Sequence, residues 1–142
     1  MKKYLFIFAA IIIFLNGWSA GEVSAQAPKT VRVEVEFEFH VGEKIYPAGA
    51  YRLETVGSGN ILRLRNKEND RQQTIIANAS YSGKRQTPKL IFRQLGEQYF
   101  LTGVFLAEDN WGFALRPSRR QRESENDRNL ALTKTIEVAA KK

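Results

Sequence analysis

A chain of 142 residues with 22 lysines and arginines against 15 acids, a net charge of +7 and no cysteine cannot be a disulfide scaffold, and thiolate nucleophiles and thiolate metal ligands are excluded with it. Its one histidine, His40, excludes a multi-histidine metal centre. The length suits one domain, large enough to bury well over half of its unfolded surface without a covalent staple.

The amino terminus carries Lys2 and Lys3, an apolar run from Tyr4 to Leu15 and a small-residue stretch ending in Val23-Ser24-Ala25. That order reads as a secretory signal peptide over residues 1–25, cleaved after Ala25, and it implies a periplasmic or extracellular protein. The run is shorter than the roughly 20 residues that cross a bilayer. Counting Asn16 to Gly21 with it gives the alternative of a retained anchor. Without Lys2, Lys3 and Glu22 the remaining chain, 26–142, keeps 20 basic and 14 acidic residues, net +6.

After a flexible lead-in over residues 26–30, alternation governs the chain. Val31, Val33, Val35, Phe37, Phe39 and Val41 alternate with Arg32, Glu34, Glu36, Glu38 and His40, which predicts one strand from Thr30 to Val41 with a single buried face. Gly42 to Gly49 is rich in turn formers, and Tyr51, Leu53 and Thr55 mark a second strand. Gly57-Ser58-Gly59-Asn60 is a hairpin-type loop leading into Ile61 to Arg65, with Leu62 and Leu64 inward and Arg63 and Arg65 outward. Asn66 to Asp70 turns the chain into a fourth strand, Gln72 to Ala79, followed by a basic loop over Ser82 to Pro88. Lys89 to Leu95 and Gln98 to Leu106 flank Gly96-Glu97, the glycine-first spacer of a type II′ hairpin. The second arm is apolar on both faces, as a strand covered on both sides would be. Glu108 to Gly112 reads as a turn and Phe113 to Arg116 as a short strand.

From Pro117 the composition changes. Ser118 is placed to cap a polar helix from Arg119 to Asn129, with Arg119 and Glu123 four residues apart; the alternative for 118–129 is a polar loop. Thr133 to Ala139 returns to alternation as a closing strand, and 140–142 form a fraying tail. The expected fold is therefore all-β: a small antiparallel sandwich or barrel of 7–8 strands, mostly a meander, in a single domain over 26–142.

Catalytic and metal constellations are few. His40 reads as a solvated imidazole on the polar face of the first strand, with a Ser-His-Asp role as the lesser alternative. Glu34, Glu36 and Glu38 form a carboxylate row at a spacing that overlaps glycosidase geometry, although cross-strand pairing with Arg63 and Arg65 is the plainer reading. Asn66, Glu68, Asn69 and Asp70, or Glu108, Asp109 and Asn110, offer oxygens for calcium without the pattern of a dedicated loop. No catalytic residue, metal site or cofactor is assigned, and no phosphate loop or serine elbow is present. The binding candidates are Trp111, an indole able to stack on a sugar or a partner chain, and the basic residues Arg63, Arg65, Lys84, Arg85 and Arg93. Eight basic residues against two acids lie between Arg63 and Arg93. They match anionic envelope glycan or lipid headgroups, or another envelope protein, and nucleic acid is not an expected partner.

Phe37-x-Phe39-x-Val41-Gly42, Pro47-Ala48-Gly49-x-Tyr51 and Tyr99-Phe100-Leu101 together resemble a family of small uncharacterised secreted bacterial proteins. The resemblance covers most of the chain after the signal and implies no activity. Members carry a serine followed by a glutamate near the end, whereas Ser118 is followed by Arg119-Arg120-Gln121 and the acid comes at Glu123. The P-A-G-x-Y piece is also similar to turns of prealbumin-like sandwich modules. The functional expectation is an exported, non-enzymatic β-domain that binds or organises something at the cell envelope. The alternative is an envelope glycan hydrolase using Glu34, Glu36 or Glu38.

Overall fold

The computed structural model describes residues 28–57, 60–127 and 133–141; the expected signal peptide and the loop centre at Ser58-Gly59 lie outside them. The described residues form an all-β fold with one short helix. The strands are β1 (Thr30–Val35), β2 (Phe39–Val41), β3 (Lys44–Tyr46), β4 (Gly49–Thr55), β5 (Ile61–Asn66), β6 (Gln72–Gln86), β7 (Lys89–Leu95), β8 (Gln98–Phe105), β9 (Asp109–Leu115) and β10 (Thr133–Ala139), with helix α1 (Arg119–Asn126) before the last.

They belong to one ten-stranded sheet that is not closed into a barrel, with β1-β4-β5-β6-β9-β8 side by side, β7 and β10 following on from β8, and the β2-β3 hairpin joined to β8. The pairing is antiparallel except at β2 and β8, where His40 lies beside Phe100 in parallel register. At the far ends β10 approaches β1, and the Lys141 N–H donates to the Arg32 carbonyl at 2.8 Å. Among the described residues this is the one backbone bond between the two edges, not a ladder, so a seam remains between them.

Alternation decides what lies inside. Val31, Val33, Val35, Tyr51, Leu53, Leu62, Leu64, Leu90, Phe92 and Val104 are buried in one core, and the intervening residues turn outward. Between β1 and β2 the chain leaves its pairing with β4 to join β8 and β3, so the single strand expected over Thr30 to Val41 is two. The break preserves the alternation, because Phe37 turns onto Tyr99 (ring centroids 4.1 Å apart, stacked) and edge-on to Phe92 (5.2 Å).

Turn chemistry follows the sequence closely. Gly96 has φ 60° between the paired Leu95 and Gln98, the first position of a II′ turn. Gly42, φ 61°, does the same between Val41 and Lys44, so the expected turn region from Gly42 to Gly49 contains the short strand β3. Pro47 and Tyr51 are tied directly, the Tyr51 hydroxyl donating to the Pro47 carbonyl at 2.6 Å. Asn66 is buried, and its side-chain oxygen accepts from the N–H groups of Glu68 and Asn69 at 2.7 and 3.3 Å. That Asx turn commits the oxygen to backbone.

Several strands outrun their sequence signals. β6 continues through most of the stretch expected as a basic loop: it pairs with β9 from Ala77 to Tyr81 and, after a register shift, again at Gln86 opposite Asp109. β9 in turn begins at Asp109, so Trp111 sits on a strand opposite Tyr81 instead of in a turn. β8 carries a bulge at Thr102, between the pairs Ile91–Gly103 and Phe92–Leu101. The bulge places Tyr99, Leu101, Val104 and Leu106 with the core, and Phe100 and Phe105 on the outer face.

That outer face explains α1. Ser118 caps it, accepting from the Gln121 N–H at 3.1 Å, and Arg119 pairs with Glu123 at 2.8 Å. Glu43 accepts from the Arg119 N–H at 2.8 Å, Arg93 meets Glu125 at 2.6 Å, and Ser124 donates to Gln98 at 3.3 Å. A helix polar all round is thereby held by directed bonds, with Gln121, His40, Leu95 and Phe100 buried outside the main core. Ala140 and Lys141, expected to fray, are bonded to Pro88 and Arg32 through their N–H groups.

Tyr51→Phe removes one buried bond and is expected to cost about 1 kcal/mol. Gly112→Val would put a Cβ 2.7 Å from the Phe105 ring and 2.9 Å from the Val104 carbonyl oxygen, and is expected to cost about 1–3 kcal/mol by overpacking. Urea midpoints at unchanged m check both.

Candidate functional site

Because the odd-numbered residues of β1 and β4 enter the core, their even-numbered neighbours line up on the outer face. Register places Arg32 opposite Arg52, Arg52 opposite Arg65 and Arg65 opposite Gln72. The adjacent row runs Thr30, Glu54, Arg63, Thr74. Neighbouring strands lie about 4.8 Å apart, so three guanidinium side chains rise from successive strands at that interval. Like charges directly opposite each other are unfavourable.

The compensation is partial. Glu54 is shared between Arg52 (3.2 Å) and Arg63 (3.4 Å), and Asp70 meets Arg65 at 3.5 Å. Arg32 makes no ion pair among the described residues. The Nε of Arg52 is buried without a hydrogen-bond acceptor. On the same face Glu34 is engaged by Lys141, whose ammonium holds the carboxyl below the usual carboxylate range.

Beside this row the seam opens into a groove of about 690 Å³, with Arg32, Arg52 and Lys141 on its walls together with Thr87 and Glu108. Glu108 is paired with Arg85 at 3.5 Å. The groove joins β1, β4, the entry to β7 and the end of β10, four segments distant in sequence.

The residues singled out from sequence do not form one patch. Arg63 and Arg65 belong to the outer arginine face. Arg85 reaches the groove only through Glu108, Lys84 is exposed on the same extension of β6, and Arg93 is occupied in holding α1 through Glu125. Trp111 is 56% exposed on the inner-facing side of β9, beyond the end of the core. It lines a cavity of about 260 Å³ with Asn60, Leu106 and Phe113, next to the Lys29–Asp109 pair at 3.4 Å. Arg32, Arg52 and Lys141 were not among the sequence candidates. The available signal was an arginine at an outward position on each of three strands, but adjacency of β1 to β4 is a tertiary fact.

The carboxylate row is divided by the crossover. Glu34 lies on β1 and is paired with Lys141, while Glu36 and Glu38 are exposed in the connection to β2. Among the described residues no group of three or more histidine, aspartate or glutamate side chains is placed to hold a metal ion.

His40, expected at the surface, is 4% exposed. Its ring stacks on Phe100 at 4.8 Å, its Nδ1 has no hydrogen-bond partner, and α1 lies alongside. Burial lowers its pKa and the Arg120 charge lowers it further, against opposing pulls from Glu38 and Glu43. A base whose folded pKa is depressed is protonated first in the unfolded chain. Stability is therefore complete at neutral pH and is lost as pH falls through about 6.5 towards the folded value. The urea midpoint should fall between pH 7 and pH 5, and His40→Phe should flatten that interval; an unchanged slope in the variant would assign the effect to other groups.

No protein-family model matches this chain, and neither does any curated protein or solved structure.

Proposed function

We propose that this chain is an exported, non-enzymatic β-domain that holds an anionic component of the cell envelope on its outer arginine face. The observation that carries the reading is the direct cross-strand row Arg32–Arg52–Arg65. A sheet face gains nothing in folding from opposed cations, and the acids beside them are shared or weakly placed. An anionic partner removes the repulsion and keeps the positive field in use.

Export is supported by the lysine pair, apolar run and small-residue site of residues 1–25. No helix among the described residues is long and apolar enough to cross a membrane. The anionic groups such a domain would meet at the envelope are headgroups or acidic glycan.

Each basic side chain near an anionic surface contributes about 1 kcal/mol. The triple variant Arg32→Gln, Arg52→Gln, Arg65→Gln should therefore weaken binding to anionic vesicles on the order of a hundredfold. Wild-type binding in a flotation assay should decline steeply as ionic strength rises past about 0.15 M, where the Debye length is roughly 8 Å. Absence of binding to any anionic surface at low salt, or binding indifferent to salt, would refute this function.

A further inference from the structure

We propose that the seam groove between β1 and β10 is a site for a dianionic phosphate group, a phosphomonoester or diphosphate, held by Arg32, Arg52 and Lys141. The assignment rests on the anion-binding reading above and narrows it to one place and one chemistry.

Three cations converge there by construction. Arg32 and Arg52 are Cα partners on adjacent strands, so their side chains leave the sheet side by side on its outer face. Lys141 is brought to the groove from the end of β10 by the bond from its own N–H to the Arg32 carbonyl, 2.8 Å. Thr87 lines the groove as well. The acids nearby are paired, Glu54 with Arg52 and Arg63, Glu34 with Lys141 and Glu108 with Arg85, so among the described residues Arg32 is the unpaired cation of the three and a phosphate takes Arg52 and Lys141 in exchange for Glu54 and Glu34.

The number of donors selects the ligand. A carboxylate brings one charge and two oxygens, which a single guanidinium fork satisfies. Two forks and an ammonium match a group carrying two charges and at least three acceptor oxygens, which is the description of a phosphate. The groove, at about 690 Å³ and open to solvent, admits such a group whether it is free or borne by a lipid or glycan.

Occupancy also has a structural consequence. Among the described residues one backbone bond crosses the seam beside the groove, and a phosphate gripping Arg32 and Arg52 on one side and Lys141 on the other ties the two ends of the sheet together. Ligand that binds only the folded chain raises its stability in proportion to the logarithm of its concentration.

The test uses the purified protein with pyrophosphate, inorganic phosphate and acetate at matched ionic strength, followed by calorimetry and thermal unfolding. Pyrophosphate should bind more tightly than phosphate, acetate should produce no saturable shift, and unfolding temperature should rise with pyrophosphate. The double variant Arg32→Gln/Lys141→Gln should lose at least tenfold in pyrophosphate affinity, while Lys44→Gln/Lys67→Gln, two exposed lysines outside the arginine row with the same change in charge, should lose less than threefold. Equal losses in the two variants, or acetate binding as well as phosphate, would overturn the site.

Amide shifts in the wild-type protein give a readout that needs no variant to fold: they should concentrate at Arg32, Thr87 and Lys141, and shifts centred on Arg63 and Arg65 would count against the groove. Phosphatidic acid vesicles displaced by pyrophosphate would identify a lipid-borne phosphate, whereas pyrophosphate binding without vesicle binding would identify a soluble one; both support the site. Anionic vesicle binding that survives Arg32→Gln/Lys141→Gln but not Arg63→Gln/Arg65→Gln would remove the groove and leave the anion-binding function standing. No binding of any anionic probe at low salt would remove both.

Discussion

The interior depends on Phe39. Its ring meets Tyr46 at 5.7 Å, Tyr51 at 5.1 Å and Phe92 at 5.3 Å, so one fully buried side chain joins β2, β3, β4 and β7. Aromatic pairs of this kind contribute about 0.5–1.5 kcal/mol each beyond the area they bury. Phe37 extends the cluster to Tyr99 across the crossover. Backbone ladders connect the β1-β4-β5 half of the sheet to the β7-β8-β10 half through β6 and β9. At the seam, where one backbone bond stands in for a ladder, these rings hold the two halves together from within.

An open sheet curled around such a core has edges to manage, at β1, β10 and β3. Exposed edges invite pairing with other chains, and charge is a common deterrent. Here the β1 and β10 edges face each other, with Arg32 and Glu34 outward on β1 and Glu137 outward on β10. Glu137 pairs with Lys89 at 2.8 Å, and Lys141 reaches across to Glu34. Charges that protect the edges also line the groove between them, which is how a feature of fold protection becomes available for binding.

The outer surfaces of the two halves are used differently. Over β7 and β8 the bulge at Thr102 leaves Phe100 facing outward, and α1, tied down by Glu43, Arg93 and Gln98, shields it together with His40. Over β1, β4 and β5 no element covers the sheet among the described residues, and the row of arginines faces solvent. Exposed ion pairs are worth at most about 1 kcal/mol each, so Glu54 and Asp70 soften the repulsion there without turning it into a source of stability.

The sequence by itself determined the all-β class, the inward and outward faces, the II′ turn at Gly96 and the Ser118 cap, because each depends on residues within a few positions of one another. The alternation even survived the break at Phe37, which is why one strand was legible where there are two. The extension of β6 and β9, the burial of His40 and the meeting of Arg32, Arg52 and Lys141 were decided by the tertiary structure. Each depends on which strand lies beside which, and on a bulge that reverses the faces of β8. A period-two pattern says that a side chain points outward; only the pairing says whether water, a helix or another arginine waits there.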